Sequence, residues 1–107
     1  MRRPLIMVIG DSTMPYHSLE NELRGKAREL ITQGRLPCYQ PTRMWGGNGT
    51  GQLQCSLCDR PIGCDEVEYE IEHDRDGSRL VNRFHFLCHA AWQMECAREQ
   101  TMRKSSP

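Results

Sequence analysis

The chain has 107 residues, 14 basic and 14 acidic side chains, and only seven aromatic residues. That is enough for one small domain with tails but too little apolar material for a deep core, so a staple is expected. The charge is uneven: residues 1–50 hold seven Lys/Arg against four Asp/Glu, and residues 51–107 hold seven against ten. An acidic second half disfavours a phosphate-backbone binder, and no apolar run approaches the ~20 residues that span a bilayer, so no membrane partner is expected.

Residues 1–17 read as a leader. Leu5 to Ile9 is a short apolar run, too short for a signal peptide and without a small-residue cleavage site after it, which places the chain in a reducing cytoplasm. Gly10-Asp11-Ser12 after that run matches the nucleophile block of SGNH-type hydrolases, with Ser12 as nucleophile. The Asp-x-x-His pair and the oxyanion-hole blocks of that family are not found, so a chance match is expected. Residues 18–34 predict an amphipathic helix: Leu19, Leu23, Ala27, Leu30 and Ile31 share one face, Ser18 is the expected N-cap and Gly34 the stop.

Residues 35–52 are rich in Gly and Pro, follow neither the helical nor the strand period, and read as an extended connector. The Gly-Lys-Ser/Thr ending of a phosphate-binding loop is missing. Arg43 and Trp45 stand out here as possible partner contacts, although packing of Trp45 back onto the domain is the expectation. Val67, Tyr69 and Ile71 alternate with Glu66, Glu68, Glu70 and Glu72, the pattern of a strand with one dry and one wet face. Asp76-Gly77 marks a hairpin turn and a return strand over about 80–84. A helix should begin near Phe86, with Leu87, Ala90, Ala91, Met94 and Ala97 as its apolar stripe, and fade after Gln100 into a disordered tail over 101–107.

The chemistry lies in Cys55-Ser-Leu-Cys58 and His85-Phe-Leu-Cys88, a CxxC and an HxxC with 26 residues between them. Zn²⁺ takes four thiolate or imidazole ligands tetrahedrally, and a two-residue gap lets both members of a pair reach one ion. Cys55, Cys58, His85 and Cys88 are therefore the predicted ligands of a single structural zinc. Four protein donors would leave no position for a reacting water, so an enzyme is not expected. Cys64 is the main rival ligand, but a buried small side chain is its expected role; His73 and His89 lie in the same half, with His89 expected at the surface and Cys96 inside. Cys38 has no visible partner and is the expected oxidation-sensitive thiol. Thioredoxin-like use of the CxxC lacks the surrounding βαβ pattern.

Knuckle, hairpin and helix in this order, over residues 53–100, form a small α+β metal-stapled domain of the treble-clef type. CxxC followed by HxxC resembles the first half of a LIM-type module, and with the second LIM zinc pattern missing the resemblance implies a LIM-like, single-zinc treble clef. The layout as a whole also resembles small bacterial zinc-finger-like proteins, which implies a cytoplasmic bacterial setting and no assigned activity. The expected function is a protein-interaction or regulatory module, with Glu66, Glu68, Glu70 and Glu72 as an acidic stripe and Arg24, Lys26, Arg28 and Arg35 as a basic one. The alternative is a nucleic-acid-binding finger using those arginines with Arg43 and Trp45. The oligomeric state stays open.

Overall fold

The computed structural model describes residues 15–105, so Leu5–Ile9 and the Gly10-Asp11-Ser12 block lie outside the described residues. Helix α1 (Pro15–Thr32) is followed by strands β1 (Arg43–Asn48), β2 (Val67–Arg75) and β3 (Ser78–His85), and helix α2 (Phe86–Ser105) closes the chain. No described helix is long and apolar enough to cross a membrane.

Helix α1 begins at Pro15, upstream of Ser18, which is therefore a helical residue and not the expected N-cap. A proline fits the first turn because its missing N–H has no intrahelical partner there. At the other end Gly34 has φ +75°, the Gly34 amide donates to the Ile31 carbonyl (3.0 Å) and the Arg35 amide to Leu30 (2.9 Å). These two bonds form a Schellman cap, which needs a left-handed residue at Gly34. The chain turns there and buries Leu36.

The three strands form one antiparallel sheet in the order β1-β2-β3. The β2–β3 hairpin closes at Asp76 and Gly77, both with positive φ (52° and 80°), the primed turn whose twist matches paired strands. Strand β1 is a correction to the connector reading of residues 35–52: Arg43 lies opposite Glu72 and Asn48 opposite Val67. Alternation is invisible in Arg-Met-Trp-Gly-Gly-Asn because every residue of this edge strand is exposed and no dry face is required. Beyond it the glycines are structural. A Cβ on Gly49 would meet the Gly63 carbonyl oxygen at 2.5 Å, so only glycine lets this loop lie against the 62–63 backbone.

Helix α2 buries Cys88, Ala91, Trp92, Glu95 and Cys96; of the expected stripe Ala91 is buried and Ala90 half-buried, whereas Leu87, Met94 and Ala97 are exposed. Trp92 stacks on Phe84 (centroids 4.7 Å apart) and donates its indole N–H to the Pro37 carbonyl (2.9 Å). His89, expected at the surface, is half-buried and stacks on Tyr69 at 4.7 Å. His73 is fully buried between Tyr39 and Trp92, its Nε2–H donating to the Tyr39 carbonyl (3.2 Å), and burial pushes its pKa down. The helix runs on to Ser105, beyond the point where a disordered tail was expected.

A disulfide and a buried ion-pair cluster join the Trp92–Pro37 hydrogen bond in holding the N-terminal half onto α2. Cys38, expected to be a free thiol, forms a disulfide with Cys96. Glu95, only 1 % exposed, takes a 2.7 Å ion pair from Arg24 and a 3.0 Å one from Arg28, both on α1. Burial raises the Glu95 pKa, but the hydrogen bonds and charges of Arg28 and Arg24 outweigh it and hold the carboxyl below its usual range.

Glu95→Gln should lower unfolding stability by ~1–3 kcal/mol at neutral pH, read from the denaturant midpoint. Because the folded value of Glu95 is depressed, its contribution is present above the ordinary carboxylate pKa of ~4.3 and is lost as pH falls through the folded value. The difference between parent and Gln variant should therefore shrink in acid. Alkylation of the denatured, chelated protein should modify the four cysteines Cys55, Cys58, Cys64 and Cys88 without reductant and all six after reduction.

Candidate metal centre

Cys55 and Cys58 sit on a tight loop built by local hydrogen bonds. The Cys55 amide donates to the Arg60 carbonyl (2.9 Å), the Asp59 amide to the Cys55 carbonyl (3.0 Å), and Gln54 bridges to Pro61. Asp59 reverses the chain with φ 66°, a conformation that aspartate tolerates better than most residues. Inside the loop the Leu57 amide points at Cys55 Sγ (3.4 Å), and fully buried Leu57 anchors it in the core. An N–H aimed at sulfur stabilises the thiolate over the thiol.

The other pair comes from the β3–α2 junction. His85 is the last residue of β3, and Cys88 lies in the first turn of α2. The knuckle is clamped to β3, because the Ser56 amide donates to the Arg83 carbonyl (2.6 Å) and the Arg83 amide to Ser56 Oγ (3.1 Å). As a result one ligand atom from each of Cys55, Cys58, His85 and Cys88 falls within 4.8 Å of the others. In a tetrahedral thiolate site the sulfurs are ~3.8 Å apart, from metal–sulfur bonds of ~2.3 Å. The cluster is compatible with one such ion.

The orientation of His85 fits this use. Its Nδ1 lies 3.4 Å from Cys58 Sγ and 3.9 Å from Cys88 Sγ, while its Nε2–H donates to the Pro61 carbonyl (3.1 Å), with Glu66 Oε1 at 3.4 Å. The outward bond fixes the tautomer and leaves the Nδ1 lone pair facing the sulfurs, as a ligating histidine requires. Glu66 is itself held, accepting a 2.7 Å bond from the Gly63 amide.

The Cys55 and Cys88 thiols interact closely, which pulls the Cys55 thiol down and pushes the Cys88 thiol up. Burial adds to the rise at Cys88 and opposes the fall at Cys55. Two thiols this close favour sharing one proton, and a divalent cation relieves that by accepting both as thiolates. The Arg60 guanidinium hydrogen-bonds Cys58, which raises the arginine pKa and sets a cation beside an assembly whose net charge with Zn²⁺ would be −1.

The other cysteines and histidines lie elsewhere. Cys64, expected to be buried, is exposed, and its thiol donates to the Thr50 carbonyl (3.4 Å). Arg43 and Trp45 are on β1, outside the cluster: Arg43 pairs with Glu72 at 3.5 Å, and Trp45 is 47 % exposed, not packed back as expected. The supports that the sequence did not reveal are Arg60, the Pro61 carbonyl, Glu66 and Ser56. The run Asp-Arg-Pro directly after the CxxC was the available signal for the first two. Compared with known proteins, the chain matches no family model, no curated protein and no solved structure.

Native mass spectrometry should find one metal ion per chain, lost or weakened in Cys58→Ala and His85→Ala and retained in Cys64→Ala. Two ions, or loss in the Cys64 variant, would contradict the four-residue site.

Proposed function

We propose that the ion is Zn²⁺, that its role is structural, and that the domain is a single-zinc treble clef acting as a protein-interaction module and not as an enzyme. The observation that carries the reading is the convergence of three sulfurs and one imidazole nitrogen, all protein donors, at one point between the knuckle and the start of α2. Soft thiolates with a borderline imidazole favour Zn²⁺ over oxygen-preferring cations, and four protein donors satisfy its tetrahedron. Structural zinc contributes on the order of 10 kcal/mol or more to folds of this kind, so metal binding and folding are one equilibrium.

A protein partner is supported by apolar surface, not by the charged stripes. Phe86 (57 % exposed), Leu87 and Met94 are turned outward where α2 meets α1, and with Leu23, Ala90 and Ala91 they line a groove of about 170 Å³. The acidic stripe is largely compensated within the sheet: Glu72 lies between Arg43 and Arg79, and Glu68 and Glu70 flank Arg83. Nucleic-acid binding is the second reading, favoured by exposed Trp45 beside Arg43. It is weakened because Arg24, Arg28 and Arg43 are engaged by buried glutamates. A cytoplasmic location belongs to the same proposal, and the Cys38–Cys96 disulfide stands against it; thiol trapping in intact cells that finds both thiols reduced would support the location, and a bonded pair would overturn it.

Cobalt substitution is the experiment. A closed Cys3His site gives intense thiolate-to-metal charge transfer and tetrahedral d–d bands that do not move on adding anions or varying pH between ~7 and ~9. Bands that respond to added anions would mean an open position and return the enzyme reading. Nucleic-acid affinity should be undetectable at low salt; a measurable affinity that falls steeply with salt would instead establish the second reading.

A further inference from the structure

Among the described residues strand β1 is one of the two edges of the sheet, and all six of its residues are exposed. The Gly49 amide donates to the Glu66 carbonyl (2.9 Å), directly continuing the register in which Asn48 faces Val67. Antiparallel ladders alternate, so the odd-numbered residues of β1 bond to β2, and the N–H and C=O groups of Met44, Gly46 and Asn48 point away from the sheet. Such edges are normally blunted by Lys, Pro, a bulge or an inward charge. Its start carries such devices: the Thr42 amide donates to the Glu72 carbonyl (2.7 Å) although Arg43 is the residue opposite Glu72, a bulge, and Pro41 precedes it; from Met44 to Asn48 the edge has none, and Arg43 is held by Glu72.

We propose that this edge pairs with the same edge of a second copy of the chain, antiparallel about a two-fold axis at Gly46, so that two three-stranded sheets become one of six strands. The occupant is a second copy because the strand is complementary to itself. With the outward groups of Met44, Gly46 and Asn48 bonded, Gly46 faces Gly46 of the second copy, Met44 faces Asn48, and Trp45 faces Gly47. A Cβ placed on Gly47 meets nothing within 4 Å, so the surface above it is open to an indole. Trp45 is left 47 % exposed among the described residues. An aromatic ring over a cross-strand glycine shields the backbone that glycine leaves bare. No like charges meet, since Arg43 falls opposite Gly49. Pairing through a single short strand lies at the small end of specific interfaces, so a concentration-dependent dimer is expected, dissociating on the order of 10–100 μM. It is independent of which ion fills the Cys3His cluster.

The test is sedimentation equilibrium of the metal-replete chain from about 5 to about 500 μM, joined to amide exchange at both ends of that range. The mass should rise from 12.4 kDa toward twice that value, and the amides of Met44, Gly46 and Asn48 should gain protection with concentration. Gly47→Glu, at a position with free space in the single copy, should weaken association at least tenfold while leaving metal content and circular dichroism unchanged. Met44→Pro should do the same, because the N–H it removes faces outward; if that variant fails to fold, Gly47→Glu decides. A constant 12.4 kDa at all concentrations overturns the proposal. So does unchanged association of Gly47→Glu, or protection appearing at Phe86 to Met94 instead of β1.

Discussion

Cys88 can reach Cys55, Cys58 and His85 only from one rotation of α2, and that rotation decides what else the helix buries. With Cys88 turned to the knuckle, the residues at three, four, seven and eight positions on follow it inward: Ala91, Trp92, Glu95 and Cys96. The last three then make contacts that the N-terminal half depends on. Trp92 fixes the Pro37 carbonyl, Cys96 bonds Cys38, and Glu95 receives Arg24 and Arg28. The cluster of ligands thus sets the docking of α1 and of the connector, although neither supplies a ligand.

The same rotation explains why the sequence was partly misleading. Judged by hydrophobicity, Leu87, Ala90, Ala91, Met94 and Ala97 are the better stripe of α2, and the face with a glutamate at its centre looks like the wet one. Tertiary geometry at Cys88 overrides that preference, leaving Ala91 alone of the stripe fully buried, and the cost is lowered because Glu95 finds guanidinium partners in Arg24, Arg28 and Arg98. A partner 67 to 71 residues away leaves no local trace, and neither does the pairing of Cys38. What was legible had short-range causes: the Schellman glycine, the Asp76-Gly77 turn, the existence of β2 and the two ligand pairs; the two faces expected of β2 were not, since Val67 is exposed and Glu72 is buried. Strand β1 escaped because an edge strand with no buried face has no periodicity to show.

Charge patterning shows the same limit. A run of glutamates along β2 and a run of basic residues along α1 read as two opposed surfaces when the chain is considered linearly. In three dimensions the arginines on β1, in the hairpin and on β3 lie across from the glutamates, and two from α1 point at α2. Most of this charge is spent within the fold. Other charges, Lys26 and Arg35 among them, stay exposed, and so do large apolar side chains: Trp45 and Met44 at one edge, Phe86, Leu87 and Met94 along α2.

The disulfide and the metal cluster are nested: the bond joins positions 58 apart, and the segment from Cys55 to Cys88 lies wholly inside that loop. A cross-link acts on the unfolded chain by shortening the free path between its ends, and an inner one shortens the path available to an outer one. With the four ligands gathered, only the seventeen residues from Cys38 to Cys55 and the eight from Cys88 to Cys96 remain to be closed. By loop-closure scaling this reduces the entropic contribution of the outer link by somewhat under ~1 kcal/mol. The two constraints are therefore partly redundant, and losing either one makes the other count for more.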